Sequence, residues 1–220
     1  CSEEIVSTHH RANVLFNIMR GGVFPDNYTI SKSLLQSHLS NHNSKLAKSD
    51  LAIVEELSEE FTYNDLVVAS AKGSLDLQRI SNEYLPLVFS RRHGDPSRPW
   101  NRFNIQTKDE NGNSIVGFQG NWRDIFQNWE ALALSFPYYN SAFIHKFLNA
   151  TTADGYNPYR ITDNGIEWEE PDPNDPWSSI GYWGDHQIIY LLKLLEFTEN
   201  LKPKSLKSLM NNYLFVYADV

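Results

Sequence analysis

Between residues 91 and 187 the sequence places side chains capable of chemistry at four points. The first is Arg91-Arg92-His93, with Arg98 and Arg102 close behind. Guanidinium groups hold carboxylate or phosphate through paired hydrogen bonds. This cluster stands out in a chain of net charge −8. It can bind phosphate or sugar hydroxyls, or simply tie loops to nearby carboxylates. The second and third points are an echo. Gly120-Asn121-Trp122-Arg123-Asp124 and Gly181-Tyr182-Trp183-Gly184-Asp185 share the pattern G-x-W-x-D, 61 residues apart, and Gln127 and Gln187 follow. A carboxylate and a guanidinium bind hydroxyls, and an aromatic ring covers the apolar face of a sugar. The fourth point is the acidic run 163–175 with Trp168 and Trp177. Glu167 and Glu169 flank Trp168, and a carboxyl held against a ring keeps its proton longer, which suits it to act as an acid.

Several other chemistries lack their residues. There is no G-x-S-x-G elbow and no H-E-x-x-H zinc motif. His9-His10 is not at ligand spacing, and Gly21-Gly22 lacks the rest of a phosphate-binding fingerprint. The acidic run lacks the alternating oxygens and central glycine of a calcium loop. Asp185 and His186 are adjacent, and neighbours in sequence rarely face one another, so no catalytic dyad is implied. A single cysteine excludes an intrachain disulfide framework and a Cys-based zinc site. No metal or cofactor is expected. The negative charge and missing basic block argue against nucleic acid. The longest apolar run, 188–195, carries Lys193 and falls far short of the roughly 18 residues that span a bilayer.

The elements that must position these groups are mostly helical. A content of 41% hydrophobic and 13% aromatic residues argues against disorder. Val14, Leu15, Ile18 and Met19 predict a helix over 3–20, ended by Gly21-Gly22. Ser31 is expected to cap a second helix through Leu34, Leu35 and Leu39, and Asp50 a third through Leu51, Val54 and Leu57. Residues 63–90 read as helical pieces interrupted at Gly73 and broken at Pro86. Another helix starts near Asn121 with Trp122, Ile125, Phe126, Trp129 and Ala133 inward, leaving Arg123, Asp124 and Gln127 off that face. Helices also fit 141–149 and 182–200, and Pro203-Lys204-Ser205 opens a last one. Residues 91–120 and 151–180 read as long polar loops, with Asp109-Glu110-Asn111-Gly112-Asn113 a tight turn, at most of a small hairpin. All six Trp and seven of the 10 Pro lie within 91–187, and long structured loops are more often functional than not.

The chain therefore divides into a helical part, 1–90, a loop-rich functional part, 91–187, and C-terminal helices, 188–220, within one domain or fragment. Pattern begins within a few residues of Cys1 and an apolar run reaches Val220, so a piece of a longer protein is expected. Cys1-Ser2 would also fit a lipid-anchored start; a cytoplasmic protein is favoured. Asn27-Tyr28-Thr29 and Asn149-Ala150-Thr151 match the glycosylation pattern.

Helical hairpins, Trp-rich loops and carboxylates at helix starts resemble the six-hairpin (α/α) toroid glycosidases and sugar phosphorylases. Gly120-Asn121-Trp122-Arg123-Asp124 with Gln127 is similar to the sugar-binding Arg-Asp…Gln segment of the cellobiose and chitobiose phosphorylase group. Tyr182-Trp183-Gly184-Asp185 resembles its Asp-Trp-Asn-Asp segment, with Tyr182 and Gly184 as departures. The resemblance implies that Asp185 is the general acid. Trp168-Glu169-Glu170 resembles the acid-bearing segment of glucoamylases, which makes Glu169 the rival. It further implies that Trp122, Arg123, Asp124, Gln127, Trp183 and Gln187 line the sugar site, with Trp122 or Trp183 as platforms. Reaction with inversion is implied too. In a phosphorylase Arg91, Arg92, His93 and Arg98 would hold phosphate in place of a second carboxylate. A complete toroid needs more helices than this chain carries, so a partial one is expected. The expected partners are a sugar or oligosaccharide, phosphate, and the remainder of a longer chain. The rival reading is a non-catalytic helical scaffold fragment.

Overall fold

Capping chemistry sets several of the helix starts. Thr62 accepts from the Asp65 backbone N–H at 3.3 Å, and the Asp65 carboxylate accepts from the Thr62 N–H at 2.9 Å. This reciprocal box satisfies two donors that a helix start leaves unpaired, and it opens α4 (Tyr63–Ser70). Ser74 opens α5 (Leu75–Asn82) by accepting from the Leu77 N–H at 3.2 Å. Gly73 separates the two, as its place in the pattern predicts. The computed structural model describes residues 2–91, 103–168, 173–174, 182–183 and 187–219.

Asp50 departs from its expected role. The helix α3 (Lys48–Glu55) has Ala47 at its cap, and Asp50 lies inside it, buried. Its carboxylate accepts from the Ser74 N–H at 2.9 Å and the Ser74 hydroxyl at 2.7 Å. It ties α3 to the start of α5 instead of capping its own helix. The start of α2 (Lys32–His42) falls after Ser31 as expected, without a side-chain cap bond.

The first helix, α1 (Glu3–Arg20), ends at Gly21-Gly22. Gly22 has a φ of +89°, and a Cβ there would lie 2.6 Å from the Cβ of Phe89. The glycine thus ends the helix and lets the chain pass against a strand. Strands β1 (Thr29–Ser31) and β2 (Glu60–Thr62) pair antiparallel with buried Ile30 opposite buried Phe61. Each leads directly into a helix.

The segments read as polar loops hold a sheet. Strands β3 (Val88–Arg91), β4 (Phe103–Asn104), β5 (Gly117–Asn121), β7 (Arg160–Thr162) and β8 (Gly165–Glu167) lie in the order β4-β3-β5-β7-β8. β3 and β5 are parallel; the other pairs are antiparallel. β6 (Tyr156–Asn157) pairs separately with β9 (Tyr182–Trp183). This corrects the expectation of at most a small hairpin. The strands are two to five residues long, too short for a period-two signal, and two of the five residues of β5 are glycine. The turn at Asp109 is as expected: its carboxylate accepts from the N–H groups of Asn111 and Asn113, each at 2.8 Å.

The core is aromatic. In α6 (Trp122–Ser135), Trp122, Ile125, Phe126, Trp129 and Ala133 are all buried, the face the periodicity predicts. Trp122 and Phe126 pack on Phe147 of α7 (Asn140–Asn149), and Trp129 stacks on Phe143 at 4.9 Å. The pairing order makes α6 and α7 antiparallel. Burying one such ring removes roughly 150–250 Å² from water, about 4–6 kcal/mol of transfer free energy. Next come α8 (Gln187–Leu201) and α9 (Ser205–Met210). Gln187 donates to the Arg123 carbonyl at 3.2 Å, and Lys193 pairs with Glu130 at 3.1 Å. Contacts advancing together along both helices make α6 and α8 parallel neighbours. The chain is mainly α with several short strands.

Candidate functional site

The start of α6 is built by the sheet. Gly120 and Asn121 of β5 pair with Ile161 and Arg160 of β7. The Trp122 N–H then donates to the Tyr159 carbonyl at 2.9 Å. A Cβ on Gly120 would lie 2.7 Å from the Ile125 side chain, so only glycine lets the strand turn this closely over the helix. The first turn leaves Arg123 and Gln127 exposed and Asp124 half-buried, off the core face as the sequence predicts.

Two expectations are corrected by burial. Trp122 is 0% exposed and its ring packs on Phe126 and Phe147. A ring without an accessible face is a core residue and offers no platform to a sugar. Gln187 is 1% exposed and spends its amide on the Arg123 carbonyl. It clasps the first turns of α6 and α8, so its role is to position them.

Backbone register brings the end of β3 to this junction. Ser90 is in register with Gln119, so Arg91 leaves β3 at the end where β5 becomes α6. The chain before α8 enters through β9, where Trp183 is opposite Tyr156. Tyr156 also stacks on Trp168, with ring centroids 5.5 Å apart and planes 7° apart. Trp168 thus finds the packing partner its size demands. Glu167 pairs instead with Arg160 at 3.0 Å across β7 and β8. Asp185, Glu169, Arg92, His93 and Arg98 lie outside the described residues, as do the side chains of Arg91 and Trp183.

A second polar centre carries no sequence signal. Glu83 and Lys146 are 7% and 5% exposed, with Lys146 Nζ 3.7 Å from the carboxylate. Glu83 also accepts from Asn149 at 2.6 Å and Arg79 at 3.3 Å. Burial lowers the Lys146 pKa, opposed by Glu83 and Asp163. Burial raises the Asp163 carboxyl, opposed by local hydrogen bonds and Lys146. His38 and His42, one turn apart on α2, pack beside them with tilted rings whose centroids are 3.9 Å apart. The His38 pKa is pushed down to about 2 by burial, then by His42 and Lys146. A cavity of about 160 Å³ opens among His42, Arg79, Glu83, Lys146 and Asn149. These residues come from α2, α5, α7 and the β7–β8 turn, so no local spacing could announce them. Among the described residues no group of three or more His, Cys, Asp or Glu is placed to hold a metal ion. None of the described helices is long and apolar enough to cross a membrane.

Residues 24–86 match the family model described as glycoside hydrolase family 149 insertion domain 1. The match covers β1, α2, α3, β2, α4 and α5, less than a third of the chain. It supports a carbohydrate-active enzyme region, and it falls outside the stretch that the Trp and Arg motifs mark. No curated protein matches the sequence.

Proposed function

We propose that the chain is part of a carbohydrate-active enzyme that cleaves a glycosidic bond by general acid catalysis, as a hydrolase or phosphorylase of six-hairpin type. The observation that carries this reading is the clasp of Gln187 on the Arg123 carbonyl. It joins the two G-x-W-x-D helix starts, and Asp185 stands only two residues before Gln187 in the sequence. The parallel α6 and α8, with α7 reversed, are the packing expected of successive helical hairpins. The family match at 24–86 supports a sugar substrate.

In this reading Asp185 protonates the leaving glycosidic oxygen as positive charge develops on the sugar ring. Arg123 and Asp124 hold hydroxyls, with Gln127 behind them and Trp183 as platform. Arg91, Arg92, His93 and Arg98 hold the attacking phosphate of a phosphorylase. Glu169 is the alternative acid.

Asp185→Asn and Glu169→Gln test the assignment, with oligosaccharide cleavage measured with and without phosphate. The true acid's variant should lose about 10²–10⁴-fold in kcat on natural substrates. An activated aryl glycoside, which needs no proton, should restore its rate. Loss in neither variant refutes the reading. A second reading, a non-catalytic scaffold segment, is favoured by the exposed Ile188, Ile189 and Leu192 on α8. It predicts no thermal shift with any sugar.

A further inference from the structure

The largest cleft among the described residues lies away from the α6–α8 junction. About 600 Å³ in volume, it opens between α4, α7 and the α8–α9 corner. Its wall on α8 is Thr198 to Lys202, whereas the junction is at Gln187. Eleven residues of helix put the two about 17 Å apart. The volume falls within the roughly 300–1,000 Å³ of small-ligand sites.

Two kinds of surface meet in this cleft. The first is apolar and open to solvent. Val67, Leu209 and Leu214 line it half-buried, and Ala71, Tyr138 and Leu201 line it exposed. Tyr138 and Leu201 are 67% and 49% exposed. Single exposed apolar residues are ordinary, but a group of them around one hollow marks a place where a ligand can take them out of water.

The second surface is cationic. Lys202 and Lys204 line the same cleft from the α8–α9 corner, and both are exposed. Among the described residues neither ammonium group pairs with a carboxylate. Glu199, the acidic residue nearest them in sequence, is spent on the backbone. It accepts from the N–H groups of Lys204 at 2.7 Å and Leu206 at 3.4 Å. Those bonds hold Lys204 at a left-handed φ of +73°, an uncommon conformation outside glycine. The corner is thus fixed with its two lysines at the cleft. None of the described lining residues is Asp or Glu.

An apolar hollow with ammonium groups on one wall fits an alkyl tail carrying a negative head. Glu199 offsets one of the two positive charges, so a single negative charge balances the corner. A neutral ligand would leave the lysines without a counter-charge, and a bare inorganic anion would leave the apolar walls in water. We propose that the cleft binds a medium-chain fatty acid, with its carboxylate at Lys202 and Lys204 and its chain along Val67, Leu209 and Leu214. The site is separate from the α6–α8 junction and does not depend on the glycosidic reading.

Isothermal titration with hexanoate, octanoate and decanoate, each below its micelle concentration and fully ionised, tests this. The proteins are the wild type, the double variant Lys202→Gln with Lys204→Gln, and Ser208→Trp. All three substituted residues are exposed and line the cleft, so the core is left alone. Wild-type affinity should rise about 15-fold for every two methylenes added to the chain. The double variant should bind octanoate about fivefold more weakly, yet bind 1-octanol as the wild type does. An indole at position 208 fills the space, so Ser208→Trp should weaken decanoate binding about tenfold or more. No binding, equal affinity for the three acids, or unchanged affinity in either variant overturns the proposal. Binding to phosphatidylglycerol vesicles without binding of monomeric decanoate overturns it in favour of a membrane-facing surface.

Discussion

Acid should unfold this protein earlier than its carboxylates alone dictate, and His38 should be the largest single reason. Its Nε2 is buried without a partner, and its ring packs on His42 and Tyr84. Burial holds its pKa at about 2, against 6.5 for a free imidazole. Below pH 6.5 the unfolded chain therefore takes up a proton that the folded chain refuses. Stability is fully present above pH 6.5 and falls as pH falls. Each pH unit is worth about 1.4 kcal/mol, so lowering pH from 6.5 to 4.5 should cost about 3 kcal/mol through His38. That is a large share of a typical domain's roughly 5–15 kcal/mol. His42, also lowered by burial, acts in the same sense. Asp163, raised by burial, acts in the opposite one. The remaining charged neighbours are Lys146 from α7 and Arg79 and Glu83 at the end of α5. Comparison with His38→Phe removes these shared contributions, because the variant keeps a ring and loses the titration. The assay is urea unfolding followed by tryptophan fluorescence at several values of pH between 7 and 4.5. The two stability curves should converge by about 3 kcal/mol over that range. Parallel curves would refute the argument.

Two further perturbations follow from the packing. Gly22→Ala combines a left-handed φ with a Cβ 2.6 Å from that of Phe89, and should cost about 1–3 kcal/mol or more; a thermal melt superimposable on wild type would contradict it. Lys146→Met leaves the buried Glu83 with only Arg79 and Asn149 and should cost on the order of 3 kcal/mol by denaturant unfolding. Adding Glu83→Gln should recover part of that loss, and a double variant less stable than the single one would count against the pair.

What could be read in the sequence was what depends on neighbours along the chain. The α6 face, the stop at Gly21-Gly22 and the turn at Asp109 follow from period, backbone freedom and local side-chain bonding. Asp50 shows the limit of such reasoning. Its type and place fit a cap, but burial against α5 gave it Ser74 as a stronger partner. The sheet escaped for another reason. Strands of two to five residues carry almost no periodic signal, and their pairing joins segments as distant as β3 and β5. The charged cluster around Glu83 and Lys146 is a still purer case. His38, Glu83, Lys146 and Asp163 each look like ordinary surface residues in sequence, and only the tertiary fold removes them from water.

The G-x-W-x-D motif itself divides along the same line. In its first copy Gly120 and Trp122 serve the fold: one lets β5 turn over Ile125, the other fills the core beside Phe147. Arg123 and Asp124 are left off the core face of the first turn, which buried Trp122, Ile125 and Phe126 hold in place. Gln187 belongs with the scaffold too, since its amide fixes the Arg123 backbone. Core and surface residues therefore share one short stretch of α6, because a helix turns about 100° per residue and brings the same face back every three to four positions. A motif conspicuous for its tryptophan thus does its chemistry, on this reading, through the less conspicuous pair beside it.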